Sequence, residues 1–173
     1  MPGETQRNIA TGRDAEQAIA QSAQRIVTAA VIATASAGNE ANLRFEIEKA
    51  LEQECVALGI PWIPFQLERP LRNEVGRVGF ADAIHGAVII EYEPPASFRG
   101  QEGAVLFHAR GQAVDYAERM SREEGRPIEE YVLIAWDGAH INFGRMDALR
   151  PRWERLESFG QANAERLLRH LRD

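Results

Sequence analysis

"GFADAIHGAVIIEYEPP", residues 79–95, carries three acids, Asp82, Glu91 and Glu93, inside an otherwise apolar run. Strand-forming sequence excludes charge from its buried positions, so the direction in which these acids point decides how the chain is read. With His85-Gly86 as a two-residue turn, Ile84 pairs with Ala87 and Asp82 with Ile89. Paired residues share a face and side chains alternate along each strand. Asp82, Glu91 and Glu93 then project from one side, with Asp82 and Glu91 diagonal neighbours. Ala83, Val88, Ile90 and Tyr92 project from the other side, into a core. A three-residue turn breaks this parity.

Carboxylates that converge on one sheet face repel each other unless positive charge lies between them. A salt-bridged or solvated sheet face is one reading; a site for a hard divalent cation bound through oxygen is the other. No lysine or arginine lies within residues 79–95 themselves, which favours an external ion.

Outward from the hairpin, residues 13–36 read as an alanine-rich helix ended by Ala37-Gly38. Asn39 reads as the N-cap of a second helix that Gly59 and Pro61 stop. That helix carries an apolar stripe of Leu43, Ile47, Ala50, Leu51 and Leu58. Glu40 falls on the stripe in the first turn, where it either favours the helix N-terminus electrostatically or points toward the carboxylates. "WIPFQLE" (62–68) reads as a strand at an edge or a start, because of Pro64. Residues 77–84 and 87–93 form the hairpin, 94–103 a loop, and 104–125 a third helix. Within that helix Gln112 and Tyr116, four apart, share a face. Residues 129–146 read as a second hairpin with a type I′ turn at Asp137-Gly138, and 159–172 as a last helix. The order α, α, β, β, β, α, β, β, α predicts an α/β fold: a central mixed sheet of about five strands flanked by helices, with an extra N-terminal helix.

The bulk composition is permissive. The 173 residues, 45% hydrophobic, suffice for a compact domain with a core. A single cysteine, Cys55, rules out an internal disulfide framework. No stretch approaches a membrane span, and the N-terminus lacks the apolar centre of a signal peptide, so the expected compartment is the cytoplasm. The net charge of −6 counts weakly against nucleic acid. The basic residues are nearly all arginine, Lys49 being the only lysine, and arginine makes forked contacts to phosphate.

The ordering resembles the PD-(D/E)XK nuclease superfamily. The resemblance is carried by the helix with Glu40, "GRVGFAD" ending in Asp82, "VIIEYE" with Glu91, the helix with "QAVDY", and the hairpin "YVLIAWDGAHINFGRM". It is similar in particular to the nuclease domain of type I restriction enzymes and to the N-terminal domain of fused restriction-methylation proteins, which carry a Q-x-x-x-Y element after the catalytic strands. The resemblance covers roughly residues 39–146. It implies a restriction-endonuclease-like fold over 39–173, preceded by a helical extension at 1–38. It further implies a Mg²⁺-dependent DNA endonuclease domain, with Mn²⁺ able to substitute. Asp82, Glu91 and Glu40 would be metal ligands; Asp82, Glu91, Glu93 and Gln112 would be the catalytic set, and Tyr116 an accessory residue. Ala81 stands where the family often has proline, and Glu93 where it usually has lysine; some restriction endonucleases of the superfamily use glutamate there. Implied partners are DNA, further domains or subunits of a restriction-type assembly, and a second copy through the N-terminal helix, with no membrane. A catalytically degenerate nucleic-acid-binding or assembly domain, and an interaction domain with an incidental acidic hairpin, are the competing readings.

Overall fold

The computed structural model describes residues 12–62, 70–72, 78–80, 82–147 and 150–173; of these, residues 12, 13, 70–72 and 78–80 are described as backbone only. Its elements are α1 (Gly12–Ser36), α2 (Glu40–Ala57), β1 (Pro70–Arg72), β2 (Val78–Phe80), β3 (Ala83–His85), β4 (Val88–Tyr92), α3 (Ala104–Glu124), a 3-10 turn (Ile128–Glu130), β5 (Val132–Trp136), β6 (His140–Asp147), β7 (Arg150–Trp153), β8 (Glu157–Ser158) and α4 (Gln161–Arg172). The strand expected at 62–68 lies, past Trp62, outside the described residues, as does Ala81.

The main sheet is mixed and six-stranded, in the order β3-β4-β5-β6-β7, with β8 also paired to β6. Only β4 and β5 run parallel among these pairs. Parallel neighbours cannot be joined by a tight turn, so the chain crosses over through α3. β4 and β5 are buried along their whole length. They read as continuous apolar runs because helices cover both faces of the sheet.

On one face, Ala83, Val88, Ile90, Tyr92, Ile134 and Trp136 pack against α1, α2 and α4. The α1 stripe Ile19, Ala23, Ile26, Ala30 and Ala33 lies in this same core, so α1 is no appendage to it. Its small residues allow close approach, and Arg25–Glu54 (2.7 Å) and Arg169–Glu16 (2.8 Å) tie it to α2 and α4. On the other face, Ile89, Leu133 and Ala135 meet α3 through Leu106, Ala109, Ala113, Tyr116, Ala117 and Met120.

Three local expectations are corrected. The first hairpin turns at Gly86–Ala87, one residue later than expected, with His85 inside β3 and paired with Val88. The second turns at Gly138–Ala139, not Asp137-Gly138, with Trp136 paired with Ile141. In both, glycine takes the first central position with positive φ, +60° at Gly86 and +83° at Gly138, where a II′ turn, and not only a I′ turn, needs it. Asp137 serves instead just before the turn, its Oδ1 accepting from the Ala139 and His140 amides at 3.0 and 2.6 Å. Finally, residues 77–84 are not one strand: β2 pairs with β1 in a separate two-stranded ladder. β3 is the edge strand of the main sheet, so the β3–β4 hairpin lies at its margin.

Candidate functional site

The shifted turn still has two residues, so parity is preserved. One position beyond the pair Ala83–Ile90, Asp82 stands directly opposite Glu91 rather than diagonal to it. Asp82, Glu91 and Glu93 share the face that α3 covers. Glu91 is in register with Ala135 on β5; that small neighbour, with Ala109 and Ala113 on α3, leaves room for a carboxyl group where a larger side chain would fill the layer.

The burial is severe. Glu91 is 1% exposed and Glu93 7% exposed. The Oε1 of Glu91 is buried with no hydrogen-bond partner among the described residues. Burial pushes Glu91 well above the usual carboxylate range, and the charge of Asp82, then those of Glu40 and Glu93, add to it. Burial, with Glu40, Asp82 and Asp137 behind it, pushes Glu93 up to about 7. Glu40, half-buried in the first turn of α2, is raised by burial and then by Asp82, while Arg44 and His108 act against the rise. The mutual effects locate Glu40, Asp82, Glu91 and Glu93 in one electrostatic cluster at the C-terminal end of β4.

Asp82 is held from two sides. Its Oδ1 accepts from Arg44 Nη1 at 2.7 Å and its Oδ2 from the Tyr92 amide at 2.9 Å. Burial outweighs both, and its pKa is still raised. The positive charge absent from the hairpin is therefore supplied in part by α2. Arg44 went unnoticed in the sequence, as did Glu48. Glu40, Arg44 and Glu48 recur every four residues, which places them in one row on α2. Glu48 is 6% exposed; it accepts from the Tyr92 hydroxyl at 2.7 Å and pairs with His85 Nε2 at 2.8 Å. The His85 ring packs on Trp62 with centroids 4.2 Å apart. The i, i+4, i+8 spacing was the available signal; the partners on the hairpin, some forty residues away in sequence, were not visible. Lys49 is exposed, outside the cluster.

α3 closes the site. Burial and then the charge of Glu91 push the Tyr116 hydroxyl up to about 12, Asp82 adding to the effect, so Tyr116 faces the carboxylates. His108 reaches Glu40 electrostatically. Gln112 lies one helical turn from each of these and is half-buried on the same flank. The loop after Glu93 is fixed by Asp137, wholly buried, whose Oδ2 accepts from the Phe98 amide at 2.8 Å and whose carbonyl accepts from the Ala96 amide at 3.0 Å.

The donors suit a hard cation in chemistry: every one is an oxygen, they repel each other, and one buried oxygen lacks a partner. They do not yet form a ligand cage. Among the described residues no three His, Cys, Asp or Glu side chains are arranged to hold a metal ion, in keeping with the engagement of both Asp82 oxygens. Among the described residues, too, no helix is long and apolar enough to cross a membrane. Compared with protein-family models, with curated proteins and with solved structures, the chain finds no match.

Proposed function

We propose that the protein is a divalent-metal-dependent DNA endonuclease domain that hydrolyses phosphodiester bonds, working in the cytoplasm as part of a restriction or defence system. The observation that carries this reading is Glu91: a carboxyl group 1% exposed, one oxygen unpartnered, within a cluster of three further acids. A fold that needed only a packed sheet would place an apolar residue there, since an unpaired buried carboxyl is costly.

In this reading Asp82, Glu91 and Glu40 would hold Mg²⁺, for which Mn²⁺ would substitute; the ion would supply Lewis acidity toward an attacking water and offset charge on the phosphate. Glu93, raised by burial and the neighbouring acids in the metal-free protein, would accept a proton from that water. Gln112 and Tyr116 orient groups along the α3 side of the site. Arginine-rich surface contacts DNA despite the net negative charge. Val31 and Ile32 on α1, each 62% exposed, are the contact for a second copy or for other parts of a restriction-type assembly.

The test is Mn²⁺ calorimetry with plasmid nicking in Mg²⁺ or Mn²⁺. Binding should be lost in Asp82→Ala. Nicking should be lost in Glu93→Ala and retained in Glu93→Lys. Unchanged binding in Asp82→Ala refutes the site. The Arg44–Asp82 pair favours a second reading, a nuclease-like domain that binds nucleic acid or serves assembly without catalysis. DNA binding without cleavage by the natural protein and both Glu93 variants would select it.

A further inference from the structure

Among the described residues Arg44 is the arginine paired with Asp82, and it occupies the carboxylate that a metal would need. Its guanidinium donates to Asp82 Oδ1 at 2.7 Å, and the two side chains are only 13% and 15% exposed. Oδ2 of the same carboxylate is engaged by the Tyr92 amide. Opposite Asp82, Glu91 keeps a buried oxygen without a partner. The arginine thus balances one acid of the facing pair and leaves the other unbalanced. Arg44 also borders a groove of about 360 Å³ along α2, lined by Ala41, Phe45, Glu48, Lys49, Glu52 and Trp62 as well. There is space beside the arginine for a side chain that leaves Asp82.

We infer that Arg44 is a displaceable internal counter-cation: it holds Asp82 in the metal-free protein, yields that carboxylate to an entering divalent cation, and is released toward the α2 groove as an arm for a nucleic-acid phosphate. The inference rests on the metal-site reading above. The physical logic is competition. A guanidinium and a divalent cation cannot both lie against one partly buried carboxylate without strong repulsion. A metal brings two charges and can serve Asp82 and Glu91 together, which one guanidinium does not. An arginine freed in this way carries a planar fork suited to phosphate oxygens. Metal entry would then couple to nucleic-acid binding.

The test measures Mn²⁺ binding by calorimetry in the natural protein and in Arg44→Gln, and Arg44 itself by its side-chain Nε–H resonance during a Mg²⁺ titration. Removing the competing charge should tighten Mn²⁺ binding by about tenfold or more. In the natural protein the Arg44 resonance should move in step with Mg²⁺ saturation. This second readout needs no variant, so it decides the matter even if Arg44→Gln fails to fold. Equal Mn²⁺ affinity in both proteins, or an Arg44 resonance indifferent to bound Mg²⁺, overturns the inference and leaves the metal site standing. No binding of either metal by any folded form overturns both. With Ca²⁺ present, the natural protein should bind a short DNA duplex more tightly than without it, and Arg44→Gln should lose most of that gain. Retention of the full gain in the variant refutes the release of Arg44 toward phosphate.

Discussion

Glu93→Gln should make the metal-free protein more stable at alkaline pH and leave it nearly unchanged under mildly acidic conditions. In the folded protein Glu93 titrates near 7, against an ordinary value of 4.5. Between those values the folded state keeps a proton that the unfolded chain has released. Stability is therefore lost as pH rises through this window, and the loss is complete above about 7. The shift of 7 − 4.5 = 2.5 units corresponds to at most about 3.4 kcal/mol at roughly 1.36 kcal/mol per unit. Screening where the cluster meets solvent reduces this to about 1–3 kcal/mol. Glutamine has nearly the same volume and carries no charge. The assay is urea unfolding followed by tryptophan fluorescence, in EDTA, at pH 5, 6, 7 and 8, for both proteins. Glu91 remains in each; it is raised in part by the charge of Glu93, so relief of that repulsion adds to the variant's gain at alkaline pH. The variant should gain about 1–3 kcal/mol at pH 8 and little at pH 5. A difference that does not change with pH would refute the assignment of Glu93 to a buried, mutually repelling cluster.

Gly138→Ala should destabilise by several kcal/mol, since φ is +83° and the added methyl would meet Thr34 Oγ1 and come within 2.9 Å of Leu43 Cδ1. Gly86→Ala, at φ +60° with open space around it, should cost only about 1 kcal/mol; thermal melts of the two compared directly check the contrast. Tyr92→Phe should cost about 1–3 kcal/mol in chemical denaturation, because Glu48 loses a buried 2.7 Å hydrogen bond.

The face on which the acids lie was legible because a two-residue turn centred on either pair of positions preserves the alternation. The turn itself was misplaced by one residue, because a glycine followed or preceded by a small residue satisfies two turn geometries. Asp137 drew the second turn toward itself, although its side chain caps the turn from outside. The helix bounds at Asn39 and Gly125 were legible from capping chemistry: Asn39 accepts from the Asn42 amide at 2.9 Å, and Gly125 adopts φ +67°. β7 and β8 were not legible. "RPRW" and "ES" have no apolar alternation, and Pro151 argues against a strand interior; long-range pairing with β6 makes them strands. At the site, each acid of the hairpin was visible as a charge out of place. Arg44 and Glu48 were hidden because a charged helix residue looks ordinary until its partner is known.

The two layers around the sheet do not contribute equally to holding the molecule shut. The side covered by α1, α2 and α4 is filled with large apolar groups such as Ile26, Leu43, Leu51 and Trp136. The α3 side meets the sheet partly through Ala109, Ala113 and Ala117 and covers Glu91 as well. Amide hydrogen exchange should therefore divide the chain into two cooperative units, with α3 opening at lower free energy than the other helices. Such an opening uncovers the carboxylates without dissolving the rest of the core. Excursions of α3 of that kind would set how fast water and ions reach Glu91.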